Sequence, residues 1–107
     1  MEIRDIVTID YGVISDEMML ITEVSPVYTY ENGKRTGEIQ GYKGTFLVSS
    51  GEYKGLQVQI KVGLIDPPAW ELMSKYDILY DREKSKVYTQ NGRIQASLWA
   101  TSVIEVG

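Results

Sequence analysis

One run constrains this chain more than any other: Leu56-Gln57-Val58-Gln59-Ile60-Lys61-Val62. Leu56, Val58, Ile60 and Val62 share one side of an extended backbone, and Gln57, Gln59 and Lys61 share the other. Such strict alternation fits a half-buried strand, because successive side chains leave a pleated sheet on opposite faces. The polar side carries two amides and a cation with no acid among them, a hydrogen-bonding, positive surface suited to a binding floor. The rest of the chain reads as a small closed sheet built around this strand.

A chain of 107 residues suits a single domain, large enough to bury a modest core without staples. It has no Cys, which rules out a disulfide framework, a thiolate zinc site and a cysteine nucleophile. It has no His, which removes the commonest general base and the commonest transition-metal ligand. No run is apolar enough to span a bilayer, and Met1-Glu2-Ile3-Arg4-Asp5 lacks a signal peptide's apolar segment. The expectation is a soluble cytoplasmic protein.

The formal net charge of −4 argues at first against a nucleic-acid partner. The charge is unevenly placed. Through Glu31 the chain holds Glu2, Asp5, Asp10, Asp16, Glu17, Glu23 and Glu31 against Arg4 alone. From Asn32 to Gly63 the balance reverses, with Lys34, Arg35, Lys43, Lys54 and Lys61 against Glu38 and Glu52. A basic middle on an acidic chain allows a local positive groove, although ordinary surface solubility gives the same composition.

Residues 1–17 read as an extension in which Ile3, Ile6, Val7 and Ile9 fit a strand or one helical face equally well. Residues 18–24 are apolar and read as a buried strand that Pro26 limits, since proline cannot donate to an interior ladder. Two Asn-Gly pairs, Asn32-Gly33 and Asn91-Gly92, each stand between alternating runs and predict type I′ hairpins. The first register sets Glu31 opposite Lys34 and Tyr30 opposite Arg35, an ion pair beside a cation–π contact. Gly37, Gly41 and Gly44 predict bulges or tight curvature before a strand over residues 45–49, and residues 50–55 read as a loop. The second register places Val87, Thr89, Ile94, Ala96 and Leu98 on one face and Lys86, Tyr88, Gln90, Arg93, Gln95 and Ser97 on the other. The same parity carries the apolar face on through Ala100, Ser102, Ile104 and Val106, leaving Trp99 on the polar face or over a second small cluster.

Between these runs, Asp66-Pro67-Pro68 predicts a short helix: Asp caps it, and Pro suits its first position. Ala69, Leu72, Met73 and Tyr76 would then share a face that plugs the core, with Trp70 in support. Residues 76–80 read as a further strand. Three strands, one short helix and two more strands give a mainly β, five-stranded, OB-fold-like Greek-key barrel over residues 1–107. An SH3-like barrel or a helix-capped sandwich is the main rival.

Two resemblances accompany this reading. The segment Tyr30-Glu31-Asn32-Gly33-Lys34-Arg35-Thr36-Gly37-Glu38-Ile39-Gln40-Gly41-Tyr42 resembles the Arg-Thr-Gly-Glu-Val stretch of small OB-like auxiliary proteins of Gram-positive conjugative elements, some of them helicase processivity factors. The second half, ending in Ser97-Leu98-Trp99-Ala100-Thr101-Ser102-Val103-Ile104, is similar to the single-stranded-DNA-binding proteins of filamentous phages. The resemblance implies a sequence-tolerant, non-catalytic single-stranded-DNA-binding protein of a phage or mobile element, acting in replication or transfer. A helicase or another replication or transfer protein would be its protein partner. This chain departs from both patterns in its acidic N-terminal stretch and its negative net charge.

A protein that holds single strands without reading their sequence needs cations to follow the phosphates and flat side chains to stack on bases. The candidates are Tyr30, Tyr42, Tyr53 and Tyr88, interleaved with Lys34, Arg35, Lys43, Lys54, Lys61 and Arg93. Any one of these rings reads equally well as strand packing, and any one lysine as a solvated surface; the signal is their grouping. Two linked grooves in a homodimer would add avidity. Catalysis finds less support: no His activates Ser49-Ser50, and no phosphate loop of GxxxxGK[ST] spacing occurs. Asp66, Asp77, Asp81 and Glu83 admit a magnesium-dependent nuclease only by ignoring their simpler roles in a cap, a strand flank and a turn. No cofactor, metal or catalytic residue is expected. The alternative is a β-barrel interaction module that binds a replication, conjugation or virion protein and no nucleic acid.

Overall fold

Both Asn-Gly pairs turn the chain as expected. Asn32 and Gly33 (φ 54° and 78°) and Asn91 and Gly92 (φ 52° and 76°) take the left-handed pair that a type I′ turn requires. Around them a computed structural model describes residues 8–106, the side chain of Ile94 excepted. Its strands are β1 (Met18–Leu20), β2 (Ser25–Glu31), β3 (Lys34–Leu47), β4 (Gln57–Val62), β5 (Lys75–Tyr80), β6 (Lys86–Gln90) and β7 (Arg93–Glu105). Glu31 faces Lys34 and Tyr30 faces Arg35 in the first hairpin; Gln90 faces Arg93 and Lys86 faces Ser97 in the second.

Five strands close into a barrel: β1 pairs β3, β3 pairs β4, β4 pairs β7, β7 pairs β5, and β5 returns to β1. The β4–β7 seam is parallel, through Ile60↔Leu98 and Val62↔Ala100, and the other pairings are antiparallel. β2 and β6 lie outside the barrel, each the outer strand of a hairpin arm. β3 and β7 are long because each serves twice, in the barrel wall at one end and in an arm at the other. The separate strands expected around Lys34 and Thr45 are therefore one element. Gly41 lies at the junction of arm and barrel, where a Cβ would meet the Val62 carbonyl oxygen at 2.3 Å. Register shifts on either side of Tyr28 mark the expected irregularity in the β2–β3 arm. Pro26 lies within β2, an outer strand, which suits a residue with no N–H to donate.

The central strand's alternation holds from Val58 onward. Ile60 and Val62 are buried, Val58 is half-buried, and Leu56 stands outside the strand with its side chain exposed. Phe46, Met18, Leu20, Ile60 and Ile78 are the largest fully enclosed side chains. Each contributes about 1.5–3 kcal/mol by leaving water. The expected strand over residues 18–24 shrinks to β1, whose Met18 and Leu20 face inward.

No helix occurs among the described residues, so the helix expected after Asp66 is absent. A proline disfavours the helical region for the residue before it, so Pro68 works against helical geometry at Pro67, the position that would open the first turn. Met73 then adopts φ 67°. The plug itself exists, and Trp70 supplies it from an irregular segment. Its ring lies 5.7 Å from Phe46, edge-on, and 6.4 Å from Tyr76. The Glu71 N–H donates to the Tyr76 hydroxyl at 2.8 Å, and the Met73 N–H to the Leu20 carbonyl at 2.8 Å. Ala69, Leu72 and Met73, expected on the apolar face, are exposed.

The other end is stopped by residues 8–17. A turn at Tyr11 and Gly12 carries Ile14 into the core, with Ile9, Tyr11 and Val13 against it. Ile78 N–H donates to the Ser15 carbonyl at 2.7 Å and the Tyr80 hydroxyl to the Ile14 carbonyl at 2.5 Å. Ile9 thus belongs to neither a strand nor a helix; Ile3, Ile6 and Val7 lie outside the described residues.

The expected parity of β7 fails at one residue. Leu79 pairs Ser102 while Tyr80 pairs Ala100, so Thr101 is an extra residue and the faces exchange beyond it. Val103 packs on the core, and Ile104, expected inside, is 54% exposed. Gly41→Ala tests the arm junction: with no room for a methyl group against a backbone carbonyl, it should cost about 1–3 kcal/mol in urea unfolding. Gly33, with open space around it, should tolerate Ala better in contact terms and lose only the turn preference.

Candidate functional site

Alternation that sends Phe46, Ile60 and Leu98 inward sends their neighbours outward. Lys43 on β3 pairs Lys61 on β4, and Lys61 pairs Trp99 on β7, so the three stand in one row across the outer wall. An outward Trp would ordinarily be wet, yet Trp99 is only 7% exposed. The turn over residues 81–85 folds back across it. Asp81 N–H donates to the Trp99 carbonyl at 2.8 Å. The Ser85 hydroxyl accepts the Trp99 N–H at 3.0 Å and donates to its carbonyl at 3.2 Å. The Asp81 carboxylate accepts the Lys84 N–H at 3.1 Å, which fixes the turn.

That clip hangs the Lys84 ammonium 3.6 Å from the centroid of the indole ring, while the Lys61 ammonium stands 5.4 Å from it. Lys61 also donates to the Ser97 hydroxyl at 3.0 Å. Cation–π attraction of about 0.5–2 kcal/mol per contact helps hold the two charges so close. Burial lowers the Lys61 ammonium below the ordinary lysine value of 10.5, and the charges of Lys43, Lys84 and Lys86 lower it further. Cations alone supply its charged influences.

The outer wall continues into both arms. Toward β2, Lys43 borders a hollow lined by Ser25, Pro26, Val27, Tyr28, Tyr30 and Arg35. Arg35 lies over the Tyr28 ring at 4.6 Å rather than over Tyr30, the residue it pairs, because the register shifts beside Tyr28 offset the rings. Toward β6, Lys86 faces Ser97, Tyr88 faces Gln95 and Arg93 faces Gln90, all with the parity of the wall. The arms leave in opposite directions. β3 runs past the Val62 end of β4, whereas the arm residues of β7 precede its parallel seam and lie toward the Gln57 end. One strip of cations and aromatic rings thus crosses the wall and extends both ways.

The structure sorts the expected site residues. Lys43 and Lys61 form the centre; Tyr30 (69% exposed) and Arg35 stand on one arm, Tyr88 and Arg93 on the other. Lys34 sits at the arm tip opposite Glu31, one residue out of phase with Arg35. Tyr42 is buried at 8% exposure, so its ring offers no free face. Tyr53 and Lys54 occupy the loop before β4, outside the strand row of Lys43 and Lys61, and Tyr53 lines a hollow with Ile9, Val13 and Val58. Tyr28, Lys84, Lys86 and Trp99 join the strip without being among the residues the sequence nominates for binding. The parity of Lys86 and Trp99 was the available signal; Lys84 in Asp81-Arg82-Glu83-Lys84 gave none. Of the acids considered for magnesium, Asp77 accepts the Glu17 N–H from the segment before β1, and Asp81 accepts the Lys84 N–H within its own turn.

Comparison with known proteins yields no match: no family model, no curated protein and no solved structure.

Two outcomes follow for the clip. Ser85→Ala leaves the buried Trp99 N–H without its partner and should lower stability by about 1–3 kcal/mol in urea melts. Lys61 in the folded chain holds its proton less tightly than in the unfolded chain, so stability should rise with pH between its lowered value and 10.5. Lys61→Met removes the repulsion; thermal melts should show it more stable than the parent at pH 7, with the gap narrowing as pH approaches 10.5.

Proposed function

We propose that this chain is a non-catalytic, sequence-tolerant single-stranded-DNA-binding protein, and that its barrel is an OB fold. Numbered in chain order, the five barrel strands close as 1-2-3-5-4 with a parallel 3–5 seam. An OB fold is a five-stranded Greek-key barrel that binds oligonucleotides on its strand 2–3 face and the loops joining strands 1–2 and 4–5. The corresponding face here is β3–β4, and the two corresponding connections hold the β2–β3 and β6–β7 arms.

The observation that carries the reading is the continuous outer strip, with Lys43, Lys61, Lys84 and Lys86 central and Tyr28, Tyr30, Arg35, Tyr88 and Arg93 on the arms. Phosphates meet the cations, and bases stack on Tyr30 and Tyr88. The chain's net negative charge does not oppose this, because a strand at the wall lies within about a Debye length, roughly 10 Å, of the lysine row and is screened from more distant acids. The setting is replication or transfer of phage or mobile-element DNA in a cytoplasm, with a helicase or similar partner.

A second reading, a protein-interaction module, draws on the exposed Leu64, Ile65, Leu72 and Met73 in the segment before β5. Anisotropy of labelled oligo-dT titrated across salt separates the two. Strand binding predicts log K falling with log salt by about 0.7 per phosphate engaged. Lys43→Gln and Arg35→Gln should each flatten that slope by about 0.7–1, and Tyr30→Ala should cost about 1–3 kcal/mol. Absence of binding at low salt overturns the reading in favour of the second.

A further inference from the structure

We propose that Lys43, Lys61, Lys84 and Lys86 form a discrete oxyanion subsite above Trp99, one that takes a phosphate group. The inference deepens the strand-binding reading and rests on it where the phosphate belongs to DNA; where it belongs to a free polyphosphate, it stands alone.

The argument is geometric. Lys43, Lys61 and Trp99 occupy adjacent strands in one register row, so their side chains leave the sheet about 4.8 Å apart. Lys86 enters from the neighbouring row opposite Ser97. Lys84 is brought over the same spot by the 81–85 turn, which Asp81 and Ser85 tie to the Trp99 backbone. The backbone that carries Lys84 and the head of Lys61 are thus held before any ligand arrives, which lowers the ordering cost at those two positions.

Each ammonium has three N–H donors. Lys61 spends one on Ser97, leaving two to point outward. The indole face takes none of these hydrogen bonds but holds Lys84 at 3.6 Å, steering its ammonium beside that of Lys61. The turn carries two acids: the Asp81 carboxylate accepts the Lys84 backbone N–H, and Glu83 is exposed. A phosphate would accept from two or more ammoniums at once and relieve the repulsion that loosens the Lys61 proton. A base would gain little here, since the Trp99 ring is covered; the chemistry favoured is the anion's.

The test uses the full chain with Trp70→Phe, leaving Trp99 as the sole Trp reporter. Tripolyphosphate is titrated against NaCl of matched ionic strength. The expected result is a saturable change in Trp99 emission beyond the salt control. Affinity should weaken about tenfold or more in Lys61→Gln and Lys84→Gln and stay unchanged in Lys54→Gln. Should Trp70→Phe fail to fold, the Trp99 indole N–H resonance of the parent chain reports the same titration. A response no larger than that to NaCl, or one insensitive to both lysine changes, overturns the subsite. Oligo-dT without terminal phosphate, run alongside, separates the sources. If the oligonucleotide binds while tripolyphosphate leaves Trp99 unmoved, the subsite fails and strand binding survives. If tripolyphosphate binds with the lysine dependence and the oligonucleotide does not, the subsite stands for free phosphate compounds and the strand reading fails.

Discussion

Three residues hold the barrel shut. β1 is only Met18–Leu20, yet it pairs β3 along one side and β5 along the other, so without it the sheet would have two open edges. Met18 and Leu20 leave no surface in water, and the Leu20 backbone receives Met73 from the segment that carries Trp70. Closure therefore couples the seam to the plug: the side chains that face inward from β1 are the ones the Trp70 cluster seals over. The curvature of the outer wall, and with it the convergence of Lys43, Lys61 and Trp99, depends on that closure.

The face that bears the cations is an electrostatic compromise. Lys61 loses part of its hydration by burial, and Lys43, Lys84 and Lys86 repel its charge. The fold answers with cation–π contacts and with the Ser97 hydroxyl. It also answers with a turn whose own hydrogen bonds are complete, so no polar backbone group at Trp99 is left unpaired. Groups held against their electrostatic preference by a rigid frame are a recurrent mark of binding sites. Trp99 serves here as the floor that sets where the ammoniums stand.

What could be read from the sequence was local. The Asn-Gly turns, the register of both arms and the inward set of β4 follow from period-two alternation and the φ preferences of two residues, and the structure bears them out. The barrel follows from the order of such pieces. What could not be read depends on distant partners or on single insertions. The segment after Asp66 reads as a helix although it forms none, because a cap and a first-turn proline are also what a double-proline loop displays. Unbroken alternation predicts Ile104 inside; one extra residue, Thr101, turns it outward, and nothing in its neighbourhood announces a bulge. The site was half visible: Lys43, Lys61, Tyr30, Arg35, Tyr88 and Arg93 lie on the strip, while Tyr42 turned inward with the parity of Gly44 and Phe46. Lys84 was invisible because its place depends on a serine clip to a strand fourteen positions later.

The outer margin of the β2–β3 arm has a consequence for how copies of this chain can sit together. β2 pairs only β3 among the described residues, so its far side is a free ladder of the kind that invites a neighbour's strand. Pro26 removes one donor from that ladder, and the offsets beside Tyr28 break its spacing. A second molecule arriving there finds no continuous template to extend. Two copies meeting along the β2 edge would touch through side chains rather than share a sheet there.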